Sequence, residues 1–277
     1  MARVDYDRMA PDYVEGRALP PEGMEPWRQA IRPWLPEEVA RRSPVLDLGA
    51  GTGQFAAAIA GWFGVEVVAV EPSGGMRAEA ARAYRHPGVA WVAGVGERLP
   101  LGDGTCALAW ISTVVHHLDD LDAVAAELRR VLRPGGLVLV RQAFPGRMGA
   151  ITLYERFFPG VGAALVAGGG LPTVERVSDA FAGAGFRVEG LRAVDQVSAT
   201  SLAAYRDKVR RRADTGLRLL PDDQFAAGRA ALDRAVAAET VPRRWSTAST
   251  CWSCGGGASG PAGPSAPGRG RRRPGPG

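Results

Sequence analysis

Lysine is all but missing from this chain: Lys208 stands alone beside 33 arginines, while alanine and glycine abound, as the codons of a GC-rich genome tend to dictate. Cysteine is scarce too, with Cys106, Cys251 and Cys254 the only three in 277 residues. Three cysteines exclude a four-cysteine zinc site. The Cys251-x-x-Cys254 pair also lacks the strand-to-helix setting of a redox motif, so both are read as incidental. No apolar run approaches the roughly eighteen residues that a membrane span needs, so none is expected. The opening Met1-Ala2-Arg3-Val4-Asp5 has no apolar core of a secretory signal, which places the expected location in the cytoplasm. Acidic residues are absent from Arg243 onward, where six arginines occur. The formal charge of +5 is therefore a tail property, and residues 1–242 carry one more acid than base. Electrostatic support for nucleic-acid binding by the body of the chain is lacking.

What is present is concentrated in Val45-Leu46-Asp47-Leu48-Gly49-Ala50-Gly51-Thr52-Gly53-Gln54, followed by Phe55, Ala58, Ile59 and Trp62 at helical spacing. A buried strand closes on three alternating glycines and opens a helix. Without Cβ atoms the turn can approach a ligand closely, and the helix start adds free donors and partial positive charge. Such a turn suits a nucleotide-like cofactor. The dinucleotide fingerprint G-x-G-x-x-G is not met, because the third glycine comes one residue early. A second strand, Val65–Val70, ends in Glu71, a carboxylate placed to accept from two ribose hydroxyls.

These residues resemble motif I of the class I S-adenosylmethionine (SAM)-dependent methyltransferases, with Asp47 two places before the first glycine. Further segments extend the likeness in order along residues 45–140. Glu71-Pro72-Ser73-Gly74-Gly75-Met76 resembles the family's continuation after strand two, and Gly94-Val95-Gly96-Glu97-Arg98-Leu99-Pro100 resembles the stretch that edges the adenine in the subgroup of ubiquinone and menaquinone C-methyltransferases. Glu127-Leu128-Arg129-Arg130-Val131-Leu132-Arg133-Pro134-Gly135-Gly136 resembles its helix and turn before strand five. Val95 and Ala107 depart from the pattern where aspartates are usual. The resemblance implies SAM as cofactor, with Asp47, Gly49, Gly51, Gly53, Glu71, Met76, Val95, Gly96 and Thr113 about it. Tyr13 and Arg17, on an N-terminal segment, would cover its methionine end. His116 and His117, after strand four, are candidate general bases, and no ligand set for a metal accompanies them.

The expected fold is α/β: a Rossmann-like, doubly wound, mostly parallel sheet with a small helical insertion (198–240) before the final strand. The domain spans 1–242, with 45–140 as its cofactor core. A helix is expected over 22–40, interrupted near Pro33 and Pro36, and a pocket-shaping loop and short helix over 143–172. The run Lys208-Val209-Arg210-Arg211-Arg212 reads as a solvated helix face, a phosphate or tRNA contact being the sharper alternative. The expected activity is methyl transfer to a small-molecule acceptor. The alternatives are a tRNA or protein methyltransferase, a non-catalytic SAM binder and, least supported, an NAD-dependent oxidoreductase.

Residues 243–277 are rich in glycine, proline, serine and arginine and read as a disordered tail. The family resemblance implies a seventh, antiparallel strand there, yet Arg244–Cys254 shows no apolar face. Read two bases later with GC-rich codons, the same stretch gives Val-Val-Asp-Gly-Val-Asp-Leu-Leu-Val-Leu, a good buried strand. The sequence thus suggests a frameshift near Pro242.

Overall fold

The computed structural model describes residues 5–35, 43–145, 152–167 and 171–256. Seven strands form one sheet in the order β3-β2-β1-β4-β5-β7-β6. β1 (Val45–Leu48), β2 (Val67–Val70), β3 (Val89–Val92), β4 (Cys106–Ser112) and β5 (Leu132–Gln142) run parallel, and β7 (Trp245–Gly256) pairs antiparallel with both β5 and β6 (Phe186–Ala199). The central strands are continuous apolar runs because both faces of the sheet are covered. Leu46, Leu48, Val138 and Val140 face one layer, with Val124 and Leu128 of α5 (Leu121–Val131) and Phe181 of α8 (Val174–Gly183). Val45, Leu108, Trp110 and Leu139 face the other, with Trp27 of α2 (Pro21–Ile31) and Phe55 and Ile59 of α3 (Gln54–Phe63).

Two remaining elements sit at the carboxyl edge of the strands. α1 (Tyr6–Arg17) begins at Asp5, whose side chain accepts from Arg8 N, and packs on α4 (Gly74–Ala83). The insertion is a small helical cluster of α9 (Leu202–Arg210), α10 (Thr215–Leu219) and α11 (Asp222–Ala238), joined by α6 (Thr152–Phe157) and α7 (Val161–Ala167). It is built around Phe158, Leu202, Tyr205, Leu217, Phe225 and Leu232. α2 ends in a short 3-10 turn, Arg32–Trp34, and the expected continuation to residue 40 lies largely outside the described residues. The Arg133–Gly136 segment, expected as a turn, is absorbed into β5 as an irregularity: pairing with β4 jumps from Cys106–Leu132 to Leu108–Leu137.

The tail expectation is corrected. Residues 245–256 are not disordered but form β7, the interior strand between β5 and β6, and residues 257–277 lie outside the described residues. The sequence reading asked for an apolar face. The position is buried on both faces and every backbone group is served by two neighbours, so small polar residues can stand beside Trp252 without an apolar face. Trp and Thr also favour strands. Trp252 fills one layer and donates to Ser178 Oγ, Cys251 packs into the other, and Thr247 pairs with Ser198 Oγ at 2.6 Å. Cys251 and Cys254 are free thiols inside this strand, so they are core residues rather than incidental ones.

The Lys208–Arg212 run is a solvated face in part. Lys208 turns inward to the Ala18 and Ser198 carbonyls, Arg210 meets Asp233, Arg211 meets Asp12 and Glu15, and Arg212 meets Asp222. Arg210 and Arg211 stay exposed, as a solvated face requires, while Lys208 and Arg212 are half-buried.

Candidate functional site

Sheet order reverses between β1 and β4, and open α/β sheets hold ligands at the carboxyl end of such a switch point. A cavity of about 230 Å³ lies there, roofed by α1 and walled by the insertion. Its floor is the glycine turn, whose three glycines have different tasks. A Cβ on Gly49 would fall 2.5 Å from a Val114 methyl, and one on Gly53 2.7 Å from the Trp91 ring, so both allow close internal packing. Gly51, at φ +56°, faces outward with only Tyr13 within reach, at 3.9 Å. Its missing side chain leaves room in the cavity itself. That backbone angle also disfavours any residue with a Cβ.

Asp47 lies beneath the turn, 1% exposed, and its Oδ2 has no partner among the described residues. Burial, with the nearby Glu71 charge, pushes its carboxyl up to about 8, so it holds a proton at neutral pH in this state. Glu71 does not line the cavity. Its Oε2 accepts from Gly51 N at 2.9 Å and its Oε1 from Ser73 N at 3.0 Å, which braces the turn from behind. Burial raises its pKa, and those two amides oppose the rise.

The sequence-predicted residues divide cleanly. Tyr13, Arg17, Asp47, Gly49, Gly51, Thr113 and His116 line the cavity together. Gly53, Glu71, Met76, Val95, Gly96 and His117 do not line it. Met76 is buried in the interior at 1% exposure, Val95 is exposed, and Gly96 packs against Val124 and Leu118. Arg17, expected free to meet a carboxylate, is ion-paired with Asp214, to which Tyr154 also donates. Thr113 sits at φ +55°, an outlier for a β-branched residue, immediately after β4.

The rings of His116 and His117 lie 3.9 Å apart, tilted by 44°, in the 3-10 turn Val115–His117. His117 Nε2 is 2.6 Å from the Tyr6 hydroxyl of α1, and His116 Nδ1 accepts from Gln142 Nε2 at 3.2 Å. Burial pushes both down, His116 to about 3, helped by its neighbour, and His117 to about 4. Both are neutral at pH 7. Among the described residues no group of three or more His, Cys, Asp and Glu is placed to hold a metal.

Sequence reasoning missed the wall opposite the glycine turn. Arg141 and Gln142 at the end of β5, Ser112 at the end of β4, and Lys208, Tyr205 and Tyr154 all line the cavity. Gln142 Oε1 and the Tyr205 hydroxyl are buried without partners among the described residues, as is Asp47 Oδ2. A signal for the first pair was available: Arg-Gln closes the apolar run Leu137–Val140 where parallel strands present functional groups.

Comparison with known proteins agrees with this geometry. Residues 46–140 match the model of a methyltransferase domain. The demethylmenaquinone methyltransferase of Beutenbergia cavernae is 40% identical over 116 residues, 42% of this chain and 46% of that protein. The match thus spans less than half of that curated relative. Among solved structures, a methyltransferase from an antibiotic biosynthesis pathway of Anabaena variabilis superposes with a TM-score of 0.58 at 20% identity, covering 81% of this chain and 96% of that one. A phosphoethanolamine N-methyltransferase of Haemonchus contortus, solved with S-adenosylhomocysteine, gives 0.55 at 16% identity, covering 90% and 57%. Residues 46–140 thus match a methyltransferase domain, and the sheet built on them has the fold of the solved SAM-dependent methyltransferases.

Proposed function

We propose that this chain transfers a methyl group from SAM to a small-molecule acceptor. The observation that carries the reading is the cradle at Gly51, open to the cavity and set above the orphaned Asp47 Oδ2. Asp47 takes the cofactor's ammonium and is ionised by doing so. Glu71 keeps lone pairs for the ribose hydroxyls after serving Gly51 and Ser73. Tyr13, Arg17 and Thr113 line the methionyl end. The loop of Val95 and Gly96 is left for the adenine, and Met76 stays with the interior.

When bound, SAM supplies a methyl group already activated on a sulfonium, so the protein's own work is alignment and exclusion of water. α1 closes the cavity from above. His116 is neutral, and its Nδ1 lone pair already accepts from Gln142, so it can take a proton from an acceptor only by giving up that bond. Its depressed basicity gives little driving force, so positioning carries the larger share. His117 holds α1 through Tyr6 and is a positioning residue.

The small-molecule class draws support from the relatives, whose names specify demethylmenaquinone and phosphoethanolamine. The rival tRNA reading rested on the Lys208–Arg212 run, in which Lys208 turns inward and each arginine already has a carboxylate partner. Calorimetry tests the cofactor: S-adenosylhomocysteine is expected to bind and NAD not to. Transfer of labelled methyl from SAM is then scored across a small-molecule panel, RNA and protein. Binding of NAD alone would end the reading, and label recovered only in RNA or protein would replace its acceptor class.

A further inference from the structure

Among the described residues three cations line the cavity: Arg17, Arg141 and Lys208. Two carboxylates accompany them, and neither neutralises the excess. Asp214 is spent on Arg17, and Asp47 is held protonated by burial. Arg141 is only 9% exposed, yet all its hydrogen bonds go to neutral groups. Nε and Nη2 donate to Gln196 Oε1 at 3.3 and 3.0 Å, and Nη1 to Ser112 Oγ at 3.0 Å. It lies over the faces of Trp27 and Phe55. Lys208 donates to two backbone carbonyls. Neither forms an ion pair among the described residues. Burial, with Arg17 close by, pulls Arg141 down to about 9 and Lys208 to about 8, as expected of cations lacking a counter-charge.

A buried guanidinium without an anion is costly, and proteins normally pair it. Each Nη retains one N–H beyond those bonds, a fork that matches a carboxylate. SAM cannot supply the missing charge, since its carboxylate is outweighed by its own ammonium and sulfonium. The opposite wall is apolar, formed by Val161, Leu165 and Leu217.

Resting on the methyl-transfer reading, we propose that the acceptor is a small carboxylate with an apolar body, and that Arg141 is the residue that selects it. Its anionic end meets the Arg141 fork, with Lys208 adding charge and the unpartnered Tyr205 hydroxyl available to donate. Its apolar end lies against the insertion. An arginine at this strand end thus sets acceptor charge, while the glycine turn serves the cofactor.

The probes are benzoate and its neutral isostere benzamide, titrated calorimetrically into the full chain with and without saturating S-adenosylhomocysteine. Benzoate is expected to bind at least about tenfold tighter than benzamide, a gap that Arg141→Gln closes and Arg141→Lys keeps in part. S-adenosylhomocysteine affinity should stay within about threefold in both variants. Equal binding of the two probes to the wild type, or a gap that survives in Arg141→Gln, overturns the proposal. So does a tenfold loss of S-adenosylhomocysteine affinity in Arg141→Gln, which would give the fork to the cofactor's own carboxylate. If Arg141→Gln fails to fold, the wild-type gap and the lysine variant still decide. A wild type that ignores S-adenosylhomocysteine defeats the methyl-transfer reading alone, because the titration without it still reports on the anion site.

Discussion

Glu71 serves two loops with one carboxylate, and its loss should be felt by the ligand more than by the sheet. Glu71→Ala removes the ribose acceptor and frees Gly51 N, so S-adenosylhomocysteine affinity should fall by about 1.5–3 kcal/mol, the range for hydrogen bonds to a charged group. Calorimetry on a folded variant checks this, and an unchanged dissociation constant would remove Glu71 from the site. For His116, the burial that keeps it neutral limits its worth as a base. His116→Gln should lower turnover by less than about 10²-fold, with cofactor binding intact. Once an acceptor is in hand, a larger loss at constant cofactor affinity would restore it as the principal base. Glu71 was legible in the sequence because a strand end and a glycine turn about 20 residues apart fix its place. Arg141 was not. Its isolation depends on Gln196, which lies 55 positions away, and on the lack of an ion-pair partner among side chains that only the fold assembles.

The clearest dependence on context among the elements is in α1 and β7. α1 is tied down at both ends, by Asp7 accepting from Gly75 N and Ser73 Oγ and by Arg17 on Asp214. The cavity beneath it, about 230 Å³, falls short of the roughly 300 Å³ at which ligand pockets usually begin. α1 is expected to lift when cofactor and acceptor enter together. Asp7→Ala should make the amides of residues 6–17 exchange several-fold faster and speed release of S-adenosylhomocysteine. Hydrogen exchange by mass spectrometry reads the first effect, and unchanged protection would show that Asp7 does not hold the helix down. β7 was misread because its residues were judged as an isolated strand. Two waiting neighbours accept any slim, hydrogen-bonding sequence between them. The shifted reading, Val-Val-Asp-Gly-Val-Asp-Leu-Leu-Val-Leu, remains our proposal for the sequence this position was selected to hold. A chain carrying it is expected to melt higher, since its Leu-Leu-Val-Leu run puts an apolar residue at buried Ser253. Its two aspartates fall in the stretch where Thr247 and Ser249 now line the cavity, so the preference for benzoate should weaken there. The nucleotide sequence decides whether that frame exists, and a restored chain that melts lower would count against it.

For the molecule as a whole, acid response follows from the paired histidines. Their ordinary pKa is 6.5, and folding lowers them to about 3 and 4. Their stabilising contribution is therefore complete above pH 6.5 and is lost as pH falls through the folded values, because the unfolded chain binds the protons. Asp47 acts with opposite sign, its folded value raised from 3.8 to about 8, so its contribution is lost as pH rises across that window. A His116→Asn, His117→Asn chain keeps Asp47. The difference between the two proteins should then report about two protons taken up on unfolding near pH 5, measured from melting curves at several pH values. Parallel pH profiles would show that the pair titrates normally. The order of the sheet has a consequence for synthesis. β5 and β6 leave the ribosome well before β7, yet they can be joined only through it, after the whole insertion has been made. Until then the nascent chain carries two raw sheet edges, the template on which strands of separate molecules pair. Yield in the cell should therefore depend on how fast residues 200–256 are translated and on what shields those edges meanwhile, a demand set by gene order rather than by the stability of the finished protein.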